Sequence, residues 1–243
     1  MKKIAKFLMA TCVLVGVNTL NAEMIKVGTN ANFPPFEYMD ENSQIAGFDI
    51  DLVDAISKKA GFDYELINMG FDGLIPALKS GKIDMVASGM SATEQRKKAA
   101  DFSEPYFTTE NVFIKQTNNT KILSKDDLQG KTVATQLGTV QEQTIRDLEG
   151  VIAATMKDPI TVILSLKSGK VDAAIFDTSV AYGYLKQNPD LVEFHKEPDG
   201  SDGFSFAFDK DKKLELIAKI NSALEELRND GTYDALLEKY DLK

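Results

Sequence analysis

The chain has 243 residues, 43% of them hydrophobic and 27% charged, which excludes a disordered or fibrous protein and allows one large domain or two small ones. Lysine and arginine number 28 against 37 aspartates and glutamates, a formal charge of −9; residues 1–22 hold Lys2, Lys3 and Lys6 and no acid, leaving 25 basic against 37 acidic residues beyond them. So acidic a body lacks the electrostatic footprint of a nucleic-acid binder, and a single Cys and a single His argue against thiol, zinc and histidine-dependent chemistry.

The first segment reads as an address. A basic start is followed by an eleven-residue run, Phe7 to Val17, that is apolar apart from Thr11 and Gly16, and then by Asn18-Thr19-Leu20-Asn21-Ala22. That order matches a secretory signal peptide cleaved near Ala22. A membrane anchor would need roughly 20 apolar residues, and this run is about half that. The expected mature protein is soluble outside the cytoplasm and free of cysteine, because Cys12 leaves with the leader.

Strand and helix signals then alternate. Met24–Thr29 predicts a strand, and Phe48, Leu52, Ala55 and Ile56 predict a helix over Phe48–Ala60, stopped by Gly61. Asp49, Asp51 and Asp54 at the start of that helix are expected to form a solvated face rather than a metal site. Residues 74–84 (Leu-Ile-Pro-Ala-Leu-Lys-Ser-Gly-Lys-Ile-Asp) return at 162–172 as Val-Ile-Leu-Ser-Leu-Lys-Ser-Gly-Lys-Val-Asp, 88 positions later. Each copy predicts a helix stopped at Gly81 or Gly169 and then a strand, Asp84–Ala87 or Asp172–Ile175. A spacing of 88 exceeds the roughly 20–50 residues of a solenoid unit and suits two similar α/β lobes.

Lys131–Thr135 predicts a further strand and Thr139–Leu148 a helix. His195, in a polar stretch, is expected at the surface. Phe204, Phe206 and Phe208 alternate as in a strand. Two helices close the chain: one presents Leu214, Ile217, Ile220, Leu224 and Leu227, the other Tyr233, Leu236, Leu237 and Tyr240, all read as core. Strands alternating with helices imply parallel sheets covered on both faces.

Ligands of open parallel sheets bind beyond the carboxyl ends of the strands. There the first lobe places Ser88-Gly89-Met90-Ser91 and, further on, Arg96; the second places Asp177. With the offset of 88, Gly89 and Asp177 are equivalent, so a cationic loop would confront an anionic one across a cleft suited to a zwitterion. Ser91 with Glu94 reads as a capping box whose free N–H groups would assist Arg96 in binding a carboxylate. Gly138-Thr139-Val140, before the next helix, would add N–H donors, and Asp177 would accept from an ammonium. Alone, Arg96 would read as a solvated charge and Asp177 as a helix cap; their placement at matched strand ends favours a site.

Several stretches together carry a family resemblance: Gly28-Thr29-Asn30-Ala31-Asn32-Phe33-Pro34-Pro35-Phe36-Glu37, Gly47-Phe48-Asp49-Ile50-Asp51-Leu52, Phe71-Asp72-Gly73-Leu74-Ile75-Pro76, Thr93-Glu94-Gln95-Arg96, Asp101-Phe102-Ser103-Glu104-Pro105-Tyr106 and Leu227-Arg228-Asn229-Asp230-Gly231-Thr232-Tyr233. In this order over the whole mature chain, they resemble the periplasmic solute-binding proteins of polar amino-acid ABC transporters. That resemblance implies a type II two-lobed α/β fold: two similar, open, mostly parallel sheets joined by two crossover strands, with hinge closure on the ligand. It implies lobe 1 over 23–109 plus 205–243 and lobe 2 over 110–204. It also implies that Arg96, Ser91 and the backbone at Gly89 hold the α-carboxylate, that Asp177 holds the α-ammonium, that Phe33 and Phe71 sandwich the ligand side chain, and that Ser88 belongs to the binding site.

At the selectivity positions Asn30 stands where relatives commonly have Asp, and Gln136 where the glutamine binder has Lys. Two neutral amides predict a polar, uncharged free L-amino acid such as glutamine, since a buried unpaired charge is costly, unless Glu37 reaches the pocket; a basic amino acid remains the alternative. The expected partner is an inner-membrane ABC permease, with a chemoreceptor as a further one, and the protein is expected to be a monomer with no cofactor or metal. The competing reading is a secreted enzyme on the same scaffold, similar to cyclohexadienyl dehydratase. That chemistry needs a positioned general acid, and Asp177 instead matches the binder's ammonium site.

Overall fold

The computed structural model of the chain describes residues 24–243; the expected leader and cleavage site lie outside the described residues. β1 (Met24–Thr29) is followed by β2 (Asn32–Phe33), β3 (Glu37–Met39) and β4 (Ile45–Ala46), a small antiparallel sheet. Next come α1 (Phe48–Ala60), β5 (Asp63–Asn68), α2 (Leu74–Lys79), β6 (Met85–Val86), α3 (Glu94–Lys97) and β7 (Ala100–Phe102). The chain then crosses to β8 (Glu110–Gln116), β9 (Thr132–Gln136), α4 (Val140–Asp147), β10 (Ile152–Met156), α5 (Pro159–Lys167), β11 (Ala173–Asp177), α6 (Thr178–Gln187) and β12 (Leu191–Pro198). It returns through β13 (Ala207–Asp209) and ends in α7 (Leu214–Asn229) and α8 (Thr232–Lys239).

The described residues build two five-stranded sheets, in the orders β5-β1-β6-β13-β7 and β10-β9-β11-β8-β12. Each is mixed rather than mostly parallel. β1 pairs parallel with β5 and β6, and β9 with β10 and β11. The remaining pairings are antiparallel, because they involve strands that enter or leave a lobe at the crossings rather than strands linked by a helical crossover.

The repeat forms the same device twice. Gly81 and Gly169 both adopt left-handed backbone, φ 70° and 69°, where a side chain would be strained. The turn bonds match as well: Gly81 N–H to Leu78 O and Lys82 N–H to Ala77 O in one copy, Gly169 N–H to Leu166 O and Lys170 N–H to Ser165 O in the other. The Asp that ends each repeat then locks onto the neighbouring strand. Asp84 accepts from Lys26 N–H at 3.0 Å and Asp172 from Thr132 N–H at 2.8 Å. These equivalent bonds set the register of β6 beside β1 and of β11 beside β9, and so fix where the strand ends emerge.

Phe48, Leu52 and Ile56 of α1 are buried against α7, which contributes Ile217, Ile220, Leu224 and Leu227. Leu214 departs from the expected stripe: it is 59% exposed, as the first residue of α7, before the helix reaches the core. The 203–208 run does not alternate in burial. Phe204 to Phe208 are all buried, because this stretch threads the middle of the molecule, and only Ala207–Asp209 is strand. Phe204 bridges both Ser91 and Phe107, tying the two crossing segments together. His195 lies half-buried in β12, 3.2 Å from Glu197. No helix among the described residues is long and apolar enough to cross a membrane.

Candidate functional site

The carboxyl ends of the two sheets face one another. Between them lies a narrow cavity lined by Phe33, Phe71, Gly89, Ser91, Arg96, Gln136, Thr139, Val140, Gln141 and Asp177. The structure therefore brings together nine of the eleven residues singled out in the sequence. Asn30 and Ser88 stand just behind the wall: Asn30 N–H donates to Ser88 Oγ at 3.0 Å, and Ser88 Oγ donates to Glu37 at 2.7 Å.

Arg96 leaves α3 and crosses the cleft. Its Nη1 donates to Ser91 O and its Nη2 to Gly138 O of the opposite lobe, each at 2.9 Å, while the guanidinium lies over the Phe71 ring, 5.4 Å from the centroid. Burial lowers its pKa to about 10, against the opposing pull of Asp177 and Asp199. The expected capping box is not formed. Thr93 is the N-cap, its Oγ1 accepting from Arg96 N–H, and Ser91 Oγ reaches Asp199 at 3.2 Å instead. α3 is a single turn whose amide is taken internally, so the guanidinium rather than a helix end supplies the positive charge.

Asp177 is the last residue of β11 and the N-cap of α6, but its side chain makes no cap bond. Thr109 Oγ1 takes the first helical N–H, that of Thr178, at 3.0 Å, which leaves the carboxylate directed to other partners. Gln141 Nε2 donates to it at 3.1 Å and also donates to Asn111 at 3.0 Å. Burial, then Asp199, raise the Asp177 pKa to about 7, with Gln141 and Arg96 opposing. A carboxyl so poised gains most from an ammonium beside it.

Asn30 and Gln136 are equivalent in the two sheets, as the register of β6 on Val27–Gly28 and of β11 on Val133–Ala134 shows. Gln136 Nε2 donates to Asn30 Oδ1 at 2.9 Å and to Lys157 O at 3.1 Å, and Asn30 Nδ2 donates to Met69 O at 2.9 Å. The two amides expected to read a ligand thus join the lobes to each other.

Gly89 has φ +47° and a Cβ on it would lie 3.0 Å from the Phe33 ring. Gly89→Ala should cost roughly 1–2 kcal/mol of stability and push Phe33 into the cavity. Urea unfolding and ligand titration together check this, and a binding constant unchanged in a stable variant would contradict it.

Sequence reasoning missed Gln141 and Asp199, singled out Glu37 only as a side chain that could reach the pocket, and misplaced Asp49. Gln141 follows Val140 in the same first turn of α4, so the argument that selected Thr139 and Val140 reaches it too. Asp199 sits in the turn-rich Pro198-Asp199-Gly200-Ser201 stretch, where its carboxylate accepts from Ser201, and nothing local marks it as facing the cleft. Asp49 corrects the solvated-face expectation: it is 0% exposed, accepting from Gly89 N–H at 2.8 Å and from Tyr106 Oη at 2.6 Å. Asp51 and Asp54 do form surface pairs, with Lys239 and Lys58. Among the described residues no group of His, Cys, Asp or Glu is arranged to hold a metal ion.

Two α/β lobes whose strand ends close over a charged cavity define a two-lobed solute-binding protein. Residues 25–243 match the model of the bacterial extracellular solute-binding proteins, family 3, and the chain belongs to that family. It is 45% identical over 219 residues to the probable histidine-binding protein of Campylobacter jejuni, covering 90% of this chain and 85% of the relative. Among solved structures it is similar to an ancestral arginine-binding protein bound to arginine, at 44% identity and a TM-score of 0.85, covering 90% of this chain and 99% of that one. The ancestral protein bound to glutamine gives a TM-score of 0.84 at 44% identity, with 90% and 98% covered. Each is named for binding, as expected of a binder rather than an enzyme.

Proposed function

We propose that the protein captures a free amino acid with a basic side chain in the periplasm and delivers it to an ABC permease, after export on the leader of residues 1–22. Lobe 1 comprises 23–109 plus 205–243 and lobe 2 comprises 110–204, and they close on the ligand as hinged bodies. Arg96, with Ser91, Gly89 and the backbone of Thr139 and Val140, receives the α-carboxylate; Asp177 receives the α-ammonium; Phe33 and Phe71 flank the side chain.

The observation that carries the basic side chain is the charge balance around the cavity. Arg96 and Asp177 match the two charges of the zwitterion. Glu37 remains buried near the wall with its Oε2 unbonded, and Asp177 adds to the repulsion that raises its pKa. A cationic side chain would relieve that repulsion. The neutral-ligand expectation relied on Asn30 and Gln136, which bond each other. Relatives named for histidine and arginine support the same reading. Glutamine is the second reading, favoured by the glutamine-bound ancestral protein.

Calorimetry with the twenty amino acids on ligand-stripped protein tests this. Arginine or histidine should bind at least about tenfold tighter than glutamine, or roughly 1.4 kcal/mol. Tighter binding of glutamine would shift the assignment to the second reading, and a flat response to all twenty would overturn the function itself.

A further inference from the structure

Glu37 and Asp49 form an acidic pair that zwitterion recognition does not explain. Glu37 lies in β3 opposite Phe33 of β2, a cavity-lining residue, and Asp49 is the second residue of α1. Both are 0% exposed. They grip consecutive residues of one loop: Glu37 accepts from the Ser88 hydroxyl, Asp49 from the Gly89 N–H. Each keeps one buried oxygen, Glu37 Oε2 and Asp49 Oδ1, without a hydrogen-bond partner.

The groups facing the pair are polar or acidic. Tyr106 donates to Asp49 at 2.6 Å, and Tyr233 donates to the Tyr106 carbonyl. Asp177 faces Glu37 electrostatically from the other lobe. No lysine or arginine is among the groups that shift either carboxyl. Two buried carboxyls without a cation resist joint ionisation and titrate as a unit.

We propose that the Glu37–Asp49 pair stores a proton and that a basic ligand side chain displaces it to solvent as the ligand binds. The inference rests on the basic-ligand reading above. The ligand supplies the positive charge that the proton supplied, so the charge near the cavity is conserved and no covalent bond changes apart from the O–H. Burial and mutual repulsion push Glu37 well above the usual carboxylate range, and burial pushes Asp49 to about 7, which places the exchange near neutral pH.

Arginine and citrulline separate the possibilities. They share the α-carboxylate and α-ammonium, so any titration of Asp177 cancels between them, and their side chains differ chiefly in charge. Affinities and proton release are measured by calorimetry from pH 5.5 to 8.5, in two buffers of different ionisation heat. The expected result is an arginine-to-citrulline affinity ratio that rises with pH by up to about tenfold per unit, with more protons released by arginine. Tighter arginine binding at a pH-independent ratio would overturn proton displacement and leave the basic-ligand reading intact. Citrulline binding as tightly as arginine at every pH would overturn both. Glu37→Gln should flatten the ratio; a pH dependence equal to that of the wild type would remove the assignment to this pair.

Discussion

Arg96→Ala is expected to weaken amino-acid binding by about 2–5 kcal/mol, because truncating one partner of a desolvated charge pair leaves the other charge buried alone. The loss follows from the side chain's position. Three features converge on one guanidinium: the bond to Ser91 O within its own lobe, the bond to Gly138 O of the facing lobe and the stack on Phe71. The fork is thereby oriented before the ligand arrives, so little side-chain entropy remains to be lost on binding. Asp177 and Asp199 sustain its charge against burial. Arg96→Lys should recover only part of the loss, since a single ammonium cannot offer a planar fork to a carboxylate. Titration calorimetry at pH 8, where Asp177 is ionised, is the direct measurement. A loss below about tenfold, or roughly 1.4 kcal/mol, would remove Arg96 from the carboxylate site.

How far the sequence anticipates this arrangement can be traced through single residues. Gly81 and Gly169 stop equivalent helices with nearly equal φ angles, and local chemistry suffices for that, since a left-handed turn after a helix favours glycine. The 88-residue offset correctly pairs Gly89 with Asp177, because Asp84 and Asp172 set the register of both strands. A second offset relates Val27-Gly28-Thr29-Asn30 to Val133-Ala134-Thr135-Gln136; two identities in four residues are too few to stand out, and strand pairing is what reveals it. Ser91 shows the limit of motif logic. Thr93, two residues on, takes the cap, and which hydroxyl wins depends on the crossing segment that brings Asp199 to Ser91. The burial of Asp49 was readable in part. It precedes Leu52, Val53 and Ile56 by three, four and seven residues, which puts it on the apolar face of α1. Its charge argued for solvent, and only the distant Gly89 and Tyr106 supply what allows it to stay inside. Residues whose role depends on such long-range partners are the ones local pattern misses.

The ligand-free protein is expected to lose thermal stability as the pH rises from 5 to 8, against the usual behaviour of paired carboxylates. Asp49 and Asp177 titrate near 7 in the folded chain and at about 3.9 when unfolded. Between those values the folded state binds more protons than the unfolded state, so stability falls with rising pH. The stabilising contribution of each protonated group is complete below the unfolded pKa and gone above the folded one. From pH 5 to pH 8 the loss is on the order of 2–3 kcal/mol for each of these two groups, a fall in Tm of roughly 10 °C or more, and Glu37, held high by burial and by Asp49, acts in the same direction. Carboxylates held low by partners, such as Asp230 at about 2, complete their change below pH 5 and leave this window clear. A bound amino acid places its ammonium beside Asp177 and favours the ionised form, so the ligand-induced rise in Tm should be larger at pH 8 than at pH 5. Scanning calorimetry with and without arginine measures both trends. Asp177→Asn should remove part of the fall without ligand, and Asp49→Asn another part. A Tm that is level or climbs from pH 5 to 8 in the ligand-free protein would show that these carboxyls are solvated when no ligand is bound, which would place the closed arrangement of the lobes downstream of binding rather than ahead of it.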